Sequence, residues 1–128
     1  MKLLLDTHAL LWVARTDAKL GKLARVAIED ASNDIWVSVV SLWEIATKVR
    51  IGKMVDPGGL LKNPNQYLRS LGFRDLPVTL SHAKAGGSLV AAHKDPFDRM
   101  LAAQALLEGF TLVSRDEVFD TMFVPRLW

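Results

Sequence analysis

The chain opens Met1-Lys2-Leu3-Leu4-Leu5-Asp6-Thr7-His8, and the reading of this stretch decides what kind of protein follows. A basic residue ahead of leucines is how a secretory leader begins. A leader needs an apolar run of roughly 7–15 residues, and Asp6 and His8 break this one just after Leu5. A short apolar run closed by a polar residue is instead the pattern of a strand buried on both faces.

Three further runs have that character: Ile35–Val40, Leu76–Val78 and Thr111–Val113. The last residues, Phe123–Trp128, fit an edge strand, because Pro125 has no N–H to give to a central ladder. Between the runs the apolar residues change period. Leu20, Leu23, Ala24, Ala27 and Ile28 recur at helical spacing, as do Leu42, Ile45, Ala46 and Val49. A third helix is expected from Pro96 to Glu108, with Phe97, Met100, Leu101 and Ala105 inward and Leu106 at the margin. Gly109 stands where a left-handed residue stops a helix. Shorter helices are expected at Gln66–Leu71, ended by Gly72, and at Ser81–Val90. Gly52–Asn65, rich in glycine, proline and asparagine, reads as a loop. Strands alternating with helices predict an α/β fold with a mainly parallel sheet covered on both faces.

Composition narrows the function classes. A chain of 128 residues fits one domain, and a hydrophobic fraction of 50% is that of a globular protein rather than a disordered one. The absence of cysteine excludes disulfides and thiolate metal sites. No stretch approaches the ~20 apolar residues of a membrane span, so the expectation is a soluble, cytoplasmic protein without membrane contact. A net charge of +2 is a mild pointer to a polyanionic partner.

In an open parallel sheet, ligands bind beyond the carboxyl ends of the strands. Asp6 follows the first run and Asp116 the fourth. Glu44 lies early in the helix after the second run; Asp98 lies in the first turn of the Pro96 helix, with Asp95 just before it. Each also has a plain local role. Ser41 and Glu44 match a capping box, Asp95-Pro96 an N-cap and N1 proline, and Asp6 and Asp116 suit βα turns. Gathered at one edge of the sheet, however, such carboxylates repel one another unless a divalent cation joins them. All-oxygen sites suit Mg²⁺ or Mn²⁺, and clustered carboxylates holding such ions are a recurrent device for phosphodiester hydrolysis.

The same segments resemble a known family. Leu3–Trp12 looks like the opening of VapC-type PIN-domain proteins, and Ser38–Ile45 is similar to that family's glutamate-bearing segment. Asp95–Ala105 resembles its most recognisable stretch, and Leu112–Asp116 its fourth acidic position. The resemblance implies an α/β/α sandwich, PIN-like, with four or five mainly parallel strands over residues 1–128. It implies a metal-dependent endoribonuclease toxin that stops translation, an RNA substrate, a cognate antitoxin and a homodimer. Carried over by position, Asp6, Glu44, Asp98 and Asp116 are the metal-holding and catalytic acids, with Ser114 near the metal and Thr7 supporting water or phosphate. The segment before Asp95, Val90-Ala91-Ala92-His93-Lys94, departs from the family's proline- and histidine-rich stretch. A non-catalytic PIN-like binding module is the alternative. An aspartyl-phosphate enzyme is disfavoured because His8 stands where a second aspartate would be needed.

Other residues have two readings. His8 and His93 are rim residues or proton carriers, and His82 has no motif around it. Arg99 meets either the acids or phosphate, or else a neighbour on its helix surface. Trp12, Trp36 and Trp43 pack in a core or dimer, or stack on bases. Arg15, Lys19, Lys22, Arg25, Lys48, Arg50 and Lys53 form a solvated face or steer RNA.

Overall fold

A computed structural model describes residues 1–128. Its sheet has five parallel strands: β1 (Lys2–Leu5), β2 (Asp34–Ser38), β3 (Arg74–Leu76), β4 (Thr111–Val113) and β5 (Arg126–Leu127). Six helices connect them: α1 (Thr7–Ala14), α2 (Lys22–Glu29), α3 (Val39–Arg50), α4 (Pro64–Ser70), α5 (Leu80–Ser88) and α6 (Pro96–Glu108). Single 3₁₀ segments occupy Pro57–Gly59 and Glu117–Met122.

The strand order is β3-β2-β1-β4-β5. The chain therefore leaves β1 in one direction for β2 and β3, then crosses back to build β4 and β5 on the other side. Strand order reverses between β1 and β4, and the crevice beyond their carboxyl ends is where such sheets bind ligands. Side chains of a strand alternate between faces, and β1 shows the result. Leu3 and Leu5 join Leu10, Ile35, Val37 and Ile45 in one core, while Leu4 joins Leu101, Phe110, Leu112 and Phe119 in the other. All three leucines are fully buried, so Leu3-Leu4-Leu5 is the seam between two layers of helix.

Several elements differ from the sequence expectation, each for a local reason. Helix α1 was not expected. Its residues Ala9-Leu10-Leu11-Trp12-Val13-Ala14 are apolar on every side and carry no helical period. Strand β2 stops at Ser38, whose hydroxyl accepts from the Val40 amide at 3.1 Å and caps α3. Val39 and Val40 are thus helical, and the expected Ser41–Glu44 capping box does not exist. Ser41 and Glu44 instead lie further into α3, on its buried face. Leu23 and Leu106, read as inward and marginal, are 62% and 40% exposed. The α6 reading holds at both ends: Asp95 caps Phe97 and Asp98, and Gly109 is left-handed at φ 72°.

Two polar devices on α6 tie it to its surroundings, one to the sheet and one to the segment before it. Gln104, fully buried, accepts from Ser38 Oγ at 2.6 Å and donates to the Pro77 carbonyl at 3.2 Å. Arg99 donates to the backbone carbonyls of Gly86, Gly87, Leu89, Ala91 and His93. It meets neither the acids nor a helix-surface partner; it fastens the loop between α5 and α6.

The seam can be tested directly. Leu4→Ala should lower unfolding free energy by about 2–5 kcal/mol, whereas Leu23→Ala should stay within about 0.5 kcal/mol. Urea unfolding of both variants checks this, and equal losses would refute the two-core description.

Candidate functional site

Asp6 ends the central strand. Its amide still donates to the Val113 carbonyl at 3.1 Å, extending the β1–β4 ladder by one residue. Its Oδ1 then accepts from the Ala9 amide at 2.7 Å, capping α1. The side chain is thereby drawn into the crevice, and the residue is 5% exposed. Burial pushes its carboxyl from the ordinary 3.8 up to about 6. The Ser114 hydroxyl, the Ala9 amide and His8 pull it back, while the charge of Asp98 adds to the rise.

Asp98 projects from the first turn of α6. Its Oδ2 lies 2.8 Å from Nε2 of His93, on the loop that Arg99 fastens. Burial raises the Asp98 carboxyl, the His93 hydrogen bond opposes the rise, and the charges of Asp95 and Glu44 add to it. Glu44 comes from α3 and is held at both oxygens: Oε1 accepts from Thr7 Oγ1 at 2.6 Å, and Oε2 pairs with Lys48 Nζ at 2.7 Å. The Thr7 hydroxyl also lies 3.1 Å from Ser41 Oγ. Asp116, exposed, follows β4; its Oδ1 caps the Val118 amide at 3.0 Å, and its own amide donates to buried Ser114.

The arrangement is a chain of charges. Asp98 acts on Asp6, and Glu44 acts on Asp98. Asp6 and Asp116 line one open cavity of about 430 Å³ together with His8, Trp12, Arg115 and Glu117. No three His, Asp or Glu side chains stand as a group that could hold a metal ion. Lys48 and His93 occupy Glu44 and Asp98, while Asp6 forms no ion pair. The donors are nonetheless all oxygen, and Asp6 carries a desolvation cost that its hydrogen bonds offset only in part, which is the chemistry a hard divalent cation relieves.

Sequence reasoning named the acids and missed their partners. Lys48 was legible, because glutamate and lysine four apart share a helix face. His93 reaches Asp98 across a loop, and no spacing rule signals that. His82, which seemed to lack a role, is a buried residue of the first turn of α5. Its Nδ1 accepts from the Thr79 amide and its Nε2 meets Glu108 at 2.8 Å.

The raised Asp6 carboxyl fixes a pH dependence. Below 3.8 the group is protonated in both states and costs nothing; as pH rises through about 6, the folded protein must ionise it in place. The cost then approaches about 3 kcal/mol. Asp6→Asn keeps a capping side chain. Without divalent ions it should be more stable than the parent by about 2–3 kcal/mol near pH 7.5. The difference should close near pH 4. Denaturant unfolding in EDTA across that range checks it, and identical pH profiles would remove the claim.

Comparison with known proteins places this geometry. A family model described as PIN domain matches residues 3–122. The ribonuclease VapC22 of Mycobacterium tuberculosis is 29% identical over 127 residues, covering 96% of this chain and 93% of that protein. The DNA-bound VapBC structure from Salmonella typhimurium superposes with a TM-score of 0.73 at 18% identity, covering 99% of this chain and 97% of that one. VapBC2 from Rickettsia felis, bound to a promoter DNA fragment, gives 0.68 at 15% identity over 99% and 98%. At such identities these two likenesses speak for the fold.

Proposed function

The chain belongs to the PIN-domain family and is of the VapC type, and from that premise we propose that residues 1–128 are a single ribonuclease domain, the toxin of a toxin–antitoxin pair. It hydrolyses RNA phosphodiester bonds with Mg²⁺ or Mn²⁺ and so halts translation. The observation that carries this reading is Asp6: a carboxylate buried at the switch point, with Asp98 acting on it, Asp116 across the same cavity and no ion pair of its own. The name of the mycobacterial relative supports the activity.

In this reading Asp6, Glu44, Asp98 and Asp116 hold the cation. When bound, it supplies an activated water and compensates charge on the phosphoryl oxygens. The chain's own groups set the stage. Ser114 and the Ala9 amide fix Asp6. Thr7 orients Glu44 by donating its hydroxyl to Oε1, and its oxygen can still accept from water. Attack by water on phosphorus expels the 3′ oxygen, leaving a 3′-hydroxyl and a 5′-phosphate.

The cognate antitoxin is the partner, as the solved VapBC assemblies suggest, and a homodimer belongs to the same reading. A cytoplasmic site of action belongs to the same reading; no helix of this chain is long and apolar enough to cross a membrane.

The test is cleavage of a single-stranded oligoribonucleotide by purified protein. Glu44→Gln and Asp98→Asn should each keep the parent's circular dichroism and lose about a hundredfold in rate. EDTA should abolish cleavage, and added Mn²⁺ should restore it. The products should be substrates for a 5′-phosphate-dependent exonuclease. Cleavage indifferent to both substitutions and to EDTA would sink the proposal.

A further inference from the structure

Besides Asp6 and Asp116 the cavity is lined by His8, Trp12, Arg115 and Glu117, none of which the metal chemistry uses. His8 is exposed on the first turn of α1. Its ring lies 5.6 Å from that of Trp12, centroid to centroid, at 35°. Trp12 is half-buried and fixed from behind, with Trp128 packed edge-on at 5.3 Å. Trp128 in turn fills space that only a glycine leaves, since a Cβ on Gly21 would stand 2.7 Å from its indole nitrogen. The shelf is therefore rigid on its inner side and open on its outer side. Arg115 is exposed beside Asp116, and none of the chain's ion pairs includes it or His8.

Two aromatic rings lining an open cavity together with a guanidinium outside any ion pair suit a nucleotide. A base stacks on aromatic rings whatever its identity, and a guanidinium meets phosphate through two N–H groups. A cavity of about 430 Å³ is of the size that small ligands occupy. With a divalent cation among Asp6, Asp116 and Glu117 the cavity no longer repels a phosphate, and a cationic peptide loses its partners there. RNA brings its negative charge to Arg115 and its flat base to the shelf. We propose that His8, Trp12 and Arg115 form the subsite that seats one unstacked nucleotide of single-stranded RNA beside the reacting phosphate. The base lies on His8 and Trp12, and a phosphate lies on Arg115. This rests on the ribonuclease reading above and adds where the substrate lies.

The experiment is fluorescence anisotropy of a short labelled single-stranded oligoribonucleotide in Ca²⁺, with a matched set carrying one abasic position each. His8→Ala and Arg115→Ala should each weaken binding about tenfold, with melting temperatures unchanged because both positions are exposed. His8→Phe, which keeps a flat ring, should bind as the parent does. One abasic position should weaken binding to the parent and make no difference to His8→Ala. Binding by both alanine variants equal to the parent's overturns the subsite. So does parent-like RNA binding combined with loss of a co-expressed protein partner, which would make the shelf a protein contact. The two readings separate cleanly. RNA held through the shelf but never cut with Mn²⁺ defeats the ribonuclease reading alone. RNA cut by His8→Ala and Arg115→Ala with unchanged KM defeats the subsite alone, and a parent that binds no RNA defeats both.

Discussion

The structure turns on the burial of one carboxylate. Asp6 is the residue after three fully buried leucines, so the strand that organises both cores ends by carrying a charge into the crevice between β1 and β4. Nothing about folding requires an acid there. A capping asparagine or serine would satisfy the Ala9 amide without the desolvation cost that lifts this group to about 6. The fold tolerates the cost because β1 is the best-buried element and its leucines contribute several kcal/mol of apolar burial, at roughly 1.5–3 kcal/mol for each side chain. A site that is unfavourable for folding and placed at a topological switch point is where function is expected to override local stability.

The sequence made the scaffold legible wherever one rule spoke alone. Asp95-Pro96 and Gly109 bracket α6 because a cap, a proline and a left-handed glycine each act within one turn. Lys2–Leu5 and Thr111–Val113 are strands because nothing in them competes. Where two rules competed, the reading slipped. Val39 and Val40 favour a strand by side chain, yet Ser38 caps a helix one residue earlier, and the tertiary packing of α3 decides. The apolar run Ala9–Ala14 gives no period at all, so α1 becomes visible only once both its sides are seen to be covered. Glu44 was found as an acid but for the wrong local reason, since it is not an N3 residue and faces Thr7 instead.

What no pattern encodes is the loop between α5 and α6. Residues 89–95 have no regular structure, and their carbonyls need donors. Arg99 supplies them, spending its guanidinium on backbone oxygens from Gly86 to His93. One side chain on α6 thus sets the position of His93 relative to Asp98, which lies on the same helix one residue earlier. The departure of this segment from the family's usual composition therefore leaves a built structure in place, fastened from the helix it precedes.

The two partnered acids explain why four carboxylates can gather without a ligating trio. Glu44 is neutralised by Lys48 and Asp98 is hydrogen-bonded by His93, both through groups that reach partly into solvent. Water competes at the Lys48 and His93 ends of these pairs, which weakens them. They offset only part of the repulsion, since the charge of Glu44 still raises the Asp98 carboxyl, and they are weak enough to be surrendered. Asp6, held instead by a backbone amide and the Ser114 hydroxyl, has no such pair to give up. The chain's own side chains thus balance Glu44 and Asp98 reversibly and leave Asp6 without an ion pair. In the proposed reading, this asymmetry makes Asp6 the fixed ligand around which the others rearrange.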